Sequence, residues 1–207
     1  MKKIYIVLIK AHTGLGRFAR ILGGYPYTHI AVSLDKSLTD FITYSRRKHY
    51  LPMDAGFMHE YRDYYAFGEH KKVRVKVFCL PVEDDKYEKV TEFIMNCEND
   101  PKGLFNLFSM VTMSFIHGIP IKHAHNCMSF TAGVIEASGA VHMDKPYYKY
   151  DIKEIDSLLT DYLYFEGFLK RKSSPGYDEY MKKYGISEKI SSGFTTITGL
   201  FKAIIKN

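Results

Sequence analysis

Hydrophobic positions along this chain change period several times, and each change marks an element. The run IYIVLI at residues 4–9 is apolar, rich in β-branched side chains and closed by Lys10, which predicts a first strand over residues 3–10. Residues 13–22 (TGLGRFARIL) put apolar side chains at 15, 18, 21 and 22, a helical spacing stopped by Gly23-Gly24. A strand pattern returns at 27–34 (YTHIAVSL) and again at 41–45 (FITYS). Asp35-Lys36 between them reads as the start of a turn, so the two predict a hairpin. Residues 46–52 read as a loop and 55–60 as a short strand, and 73–82 (VRVKVFCLPV) is the clearest strand of all.

Helical spacing dominates the second half. Residues 84–96 carry Tyr87, Val90 and Ile94 on one face. Asn99-Asp100-Pro101 is a helix-start signal, and the strongly apolar 104–116 segment after it predicts a helix, buried by default or lining a substrate or lipid contact in the sharper reading. Gly118-Ile119-Pro120 breaks it; a helix over 127–138 follows and ends at Gly139. Residues 150–159 predict a short capped helix and 162–169 a late strand. From 173 the character changes: Ser-Ser-Pro-Gly signals a linker. Residues 186–205 then set Ile190, Phe194, Ile197, Leu200, Phe201 and Ile204 on one helical face, with lysines and small polar residues opposite. The expected organisation is one domain over 1–172 and a linker with an amphipathic C-terminal helix over 173–207. That helix could dock on its own domain, pair with another chain or make peripheral membrane contact.

The length of 207 residues suits one domain, and 46% hydrophobic with 25% charged residues marks a globular chain able to bury a core. Lys and Arg exceed Asp and Glu by 29 to 23, but the excess is spread along the chain. With no zinc-finger spacing and no RNA-binding aromatic motif, nucleic acid is not an expected partner; a modestly basic surface facing anionic lipid or polymer ranks ahead of it. Three cysteines, Cys79, Cys97 and Cys127, lack disulfide-framework spacing and favour a reducing compartment. The N-terminal apolar run is short for a secretion signal, no small-x-small cleavage site follows it, and no segment reaches the ~18 apolar residues of a membrane span. The expected location is the cytoplasm.

The chemistry concentrates at His125-Asn126-Cys127. A polar lead-in places Cys127 in the first turn of an apolar helix, where free N–H groups and the positive helix end favour a thiolate and can hold an oxyanion. Asn126, just ahead of it, is a supporting candidate. Nearly a hundred residues upstream His29 sits in a strand pattern, and a distant His beside a lone Cys is the elementary arrangement of a cysteine hydrolase. Cys79, within a strand, and Cys97, near a helix end, read as packing residues. His123-x-His125-x-Cys127 also offers zinc-ligand types, with His12, His29, His49, His59 or His117 to complete a site, but no second ligand pair stands at recognisable spacing, so no cofactor is expected.

The stretch YTHIAVSLDKSLTDFITYS, followed much later by HNCMSFTAGVIEASG, resembles the circularly permuted NlpC-type papain-like cysteine hydrolases, in which the His strand precedes an Asn-Cys helix start. The lecithin:retinol acyltransferase group shares this order. Uncharacterised bacterial members are also similar in their succession of Thr-His, Tyr-Ser and Gly-Phe-x-x-Glu segments, here Thr28-His29, Tyr44-Ser45 and 56–60. The resemblance covers about residues 3–168. It implies an α+β, papain-like fold with a small antiparallel sheet against the Cys127 helix, Cys127 as nucleophile, His29 as base, and an amide, peptide or acyl-lipid substrate. The family's third residue, a polar group on the strand after the His strand that orients the imidazole, has no acid or amide at the matching place. Tyr44, Ser45, or Glu60 from the next segment are the alternatives. Met128 stands where the acyltransferase group has glutamate.

Overall fold

A computed structural model describes residues 1–12, 24–116 and 118–205; the helix expected over 13–22 lies outside the described residues. In chain order the strands are β1 (Lys2–Ile9), β2 (His29–Ser33), β3 (Asp40–Arg46), β4 (Ala55–Tyr61), β5 (Lys72–Val82), β6 (Leu104–Phe105), β7 (Ala124–His125) and β8 (Leu163–Lys170). Six form one sheet in the order β4-β3-β2-β1-β5-β8, antiparallel throughout, and β6 pairs with β7 in a short parallel ladder. The helices are α1 (Arg62–Tyr65), α2 (Asp84–Glu98), α3 (Leu107–Ile116), α4 (Cys127–Ser138), α5 (Ile152–Leu158), α6 (Tyr177–Tyr180) and α7 (Ile186–Ile205). The protein is α+β, with helices laid on an antiparallel sheet.

β1 runs through the middle of the sheet and is buried on both faces, which accounts for its unbroken apolar run. Ile4, Ile6 and Leu8 join Phe78, Leu80 and the helices α2 and α4; Tyr5, Val7 and Ile9 join Ala31, Phe41, Val75 and Val77 on the reverse face. The β2–β3 hairpin forms as its sequence suggests, its turn held by the Asp35 carboxylate accepting the Ser37 N–H at 3.1 Å.

Helix α4 lies across β2 and β3 and against α2. Its start is set chemically: the Asn126 side chain accepts the Ser129 N–H, and the Ser129 hydroxyl accepts the Asn126 N–H, a reciprocal capping box. Its end is Gly139, whose φ of 58° is the left-handed conformation that closes helices. On its inner side, an added Cβ at Gly133 would lie 2.7 Å from the Phe93 ring, so glycine lets α2 and α4 approach closely.

Two segments depart from the sequence pattern. The helix expected over 104–116 begins only at 107, because 104–105 pairs as β6 with β7. Asn106 is the cap: its side-chain oxygen accepts the Ser109 N–H at 2.9 Å, and its own N–H donates to the His125 carbonyl at 2.8 Å. The Asn99-Asp100-Pro101 signal instead closes a turn, in which the Gly103 N–H reaches the Asp100 carbonyl at 3.0 Å. The segment expected as a linker is tied down. The Ser174 N–H donates to the buried Asp63 carboxylate at 2.6 Å, and Tyr180 stacks on Tyr64 with ring centroids 3.9 Å apart. Among the described residues no helix is long and apolar enough to cross a membrane.

Gly133→Val should destabilise the protein by ~1–3 kcal/mol through overpacking against Phe93, read as a lower urea midpoint at unchanged m-value. An unchanged midpoint would show that α2 and α4 are not in close contact there.

Candidate active site

The first residue of α4 meets the first residue of β2. The His29 ring interacts electrostatically with the Cys127 side chain on one side, and on the other its Nε2 donates to Glu60 Oε2 at 2.8 Å. Since Nε2 is taken by the carboxylate, Nδ1 is the nitrogen left for the sulfur. Cys127 is 7% exposed, Glu60 2%, and the His29 side chain 12%, so the row of three groups sits almost out of water.

Burial disfavours a charged imidazole, but the Glu60 carboxylate beside it, the interaction with Cys127 and the hydrogen bond with Glu60 outweigh that cost and hold the His29 pKa up to about 10. For Glu60, burial pushes the other way, yet the charge and hydrogen bond of His29 and the Tyr65 hydroxyl keep its carboxyl below the ordinary carboxylate range. Tyr65, from α1, donates its hydroxyl to Glu60 Oε2, and its ring centroid lies 5.8 Å from that of His29. Nothing in the sequence pattern pointed to Tyr65; the available signal was a tyrosine five residues after Glu60, just where β4 turns into a helix.

Of the three alternatives for the residue that orients the imidazole, the carboxylate of Glu60 is the group in contact with it. The Ser45 hydroxyl is within hydrogen-bonding reach of Glu60, so it supports the acid. Tyr44 is elsewhere: fully buried behind α4, its hydroxyl interacts with the Cys97 side chain and its ring packs 5.2 Å from His125 and 5.5 Å from Phe130. The reason is strand alternation, which sends Tyr44 to the helix-facing side of β3 while the flanking Thr43 and Ser45 point to the other.

The His123-x-His125-x-Cys127 series is pulled apart in the same way. His123, at a positive φ of 61°, pairs with Asp100 Oδ2 at 2.7 Å. His125 is packed among Tyr44, Phe93 and Tyr147, and burial drives its pKa down to about 4. Among the described residues no group of three or more His, Cys, Asp or Glu side chains could hold a metal ion.

Hydrogen-bond donors stand at the start of α4, next to Cys127 in sequence. The first-turn N–H groups of α4 have no acceptor within the helix. The Asn126 Nδ2, wholly buried, has no partner among the described residues, and neither do Thr28 Oγ1, His125 Nδ1 and Thr131 Oγ1. Only Ser109 Oγ completes that set of buried, unpartnered side-chain atoms, so all but one come from residues within four positions of His29 or Cys127.

Comparison with known proteins finds no matching family model, no matching curated protein and no matching solved structure.

In an NMR titration of the histidine rings, His29 should remain protonated well above 6.5, while His125 stays neutral down to about pH 5. The stability contributed by the raised His29 is fully present below about 6.5 and is lost as pH rises through about 10. That of the depressed Glu60 is present above about 4.5 and lost as pH falls. Glu60→Gln should therefore cost most between those two ordinary values, roughly 2–4 kcal/mol by urea denaturation, and should lower the His29 pKa. A His29 that titrates normally in the native protein would contradict the ion pair.

Proposed function

We propose that this protein is a cysteine hydrolase that cleaves an amide, peptide or acyl ester bond through a thiol acyl-enzyme. The observation that carries this is His29 held between Cys127 and Glu60. A nucleophile, a base and an acid that orients the base are the three roles such chemistry needs, and Cys127, His29 and Glu60 are of the right kinds and interact in that order.

In this mechanism Cys127 and His29 start as a thiolate–imidazolium pair, the proton already on the ring, and the sulfur attacks the carbonyl carbon. The oxyanion that forms is met by the Cys127 backbone N–H, with the Asn126 amide as a second donor. The imidazolium, stabilised by Glu60, gives its proton to the leaving amine or alcohol as the carbon–heteroatom bond breaks. Water, or another acceptor, then attacks the thioester with His29 as base, releasing the acid and restoring the thiolate–imidazolium pair. Tyr65 and Ser45 act on Glu60 and not on substrate; they are positioning residues.

The same arrangement supports the resemblance to the circularly permuted NlpC-type, papain-like group, whose order of His strand and Cys helix this chain shares. Three free cysteines suit a reducing compartment, and we place the enzyme in the cytoplasm. Acyl transfer differs from hydrolysis here only in the acceptor of the second step.

Iodoacetamide at neutral pH should label Cys127 faster than Cys79 or Cys97, as mapped by mass spectrometry, and His29→Ala should remove that advantage. Burial pushes the Cys97 thiol up to about 11, which makes it a slow internal control. Cys127→Ala and His29→Ala should each lower turnover of a responsive amide or ester substrate at least ~10³-fold, the first with stability unchanged and the second with the fold retained at a lower urea midpoint, because Glu60 loses its partner. Equal labelling of all three thiols, or no change without His29, would defeat the proposal.

A further inference from the structure

Helix α7 is mounted the wrong way round for a helix that merely completes a core. Its docked side is made of one leucine among small residues: the Thr196 hydroxyl donates to the Met53 carbonyl at 2.6 Å, Gly199 faces Leu104, and Leu200 and Ala203 pack with Ile121 and Ala124. Its large apolar residues face outward. Ile186, Ile190, Phe194, Ile197, Phe201, Ile204 and Ile205 are all exposed, Ile190 at 68% and Phe194 at 72%, whereas Leu200 is fully buried. At 3.6 residues per turn these outward positions fall within about 100° of arc and run the length of the helix, ~30 Å. The edge of Phe201 meets Phe108 of α3 at 5.6 Å, and one turn further along α3 Val111 is also exposed. A continuous apolar stripe of this size is not left in water without a partner.

We propose that α7 seats this protein on an anionic lipid surface, with the stripe in the headgroup–acyl boundary and the helix axis in the membrane plane. Three features favour lipid over a second copy of the chain. Lys189 and Lys202, both exposed, stand about 110° to either side of the stripe's centre, where their ammonium groups reach headgroups. Glu188, the acidic residue of the helix, lies on the far side, so no carboxylate borders the stripe. The polar flank is also turned inward: the Thr195 and Thr198 hydroxyls donate to the Ser191 and Phe194 carbonyls at 3.0 and 2.7 Å, leaving few outward donors for a protein partner. The inference stands apart from the Cys127 chemistry, although α7 docks on Ala124, three residues before the cysteine.

The test is flotation of the full-length protein with vesicles of phosphatidylcholine containing roughly a third phosphatidylserine, at low and physiological salt. The native protein should float. Ile190→Ser, Phe194→Ser and Ile197→Ser together should reduce binding by about tenfold or more without changing the circular dichroism spectrum, because none of these side chains is docked. Lys189→Glu with Lys202→Glu should weaken binding several-fold and abolish its salt dependence. Native protein that stays unbound at low salt would overturn the proposal. So would a native dimer, seen by light scattering, that the serine substitutions convert to monomer.

Discussion

Glu60 carries a charge in a place with almost no water, and that charge has to be met where it stands. The neighbours that meet it are the His29 ring and the Tyr65 and Ser45 hydroxyls. Breaking such a set strands a buried charge at a cost of ~3–5 kcal/mol, a large share of the stability of a domain this size. The requirement joins three separate pieces of chain, β2, β3 and the continuous β4–α1 segment, and it leaves the imidazole one direction in which to offer its second nitrogen. That direction is where α4 begins.

The position of α4 follows from ordinary packing. Gly133 lets it sit close to α2, Phe130 and Val134 fill the space over β2 and β3, and the Asn126–Ser129 capping box decides that the helix starts at Cys127 and not a residue to either side. A shift of one residue would turn the sulfur by about 100° away from His29. The reactive geometry is therefore a by-product of a well-made helix start set against a strand end.

Much of this was legible in the residues. The helix 127–138 could be bounded from Asn126 and Gly139 alone, because both ends are fixed by local chemistry that a sequence states directly. The strands could be placed from β-branched runs. The residue that orients His29 could not be singled out. Ser45 and Tyr44 were adjacent candidates, but which face of β3 each occupies depends on register, and Glu60 enters from a strand whose pairing no local pattern specifies. Tyr65 was missed because α1 is too short to show a period. The start of α3 was misplaced because Leu104 and Phe105 are as apolar as the helix that follows; pairing with β7, a tertiary event, takes them out of it. For α7 the apolar face was correct in composition, but its outward orientation was not visible, since periodicity says that a stripe exists and not which way it points.

The account turns on whether Cys127 forms an acyl-enzyme with the help of His29. Mixing the protein with p-nitrophenyl acetate and recording nitrophenolate release, followed by peptide mapping, tests this most directly. The account predicts an early burst of nitrophenolate close to one equivalent, with the acetyl group on Cys127, and loss of both in His29→Ala. Acetylation spread over surface lysines with no burst, or a Cys127 adduct that forms as fast without His29, would contradict it.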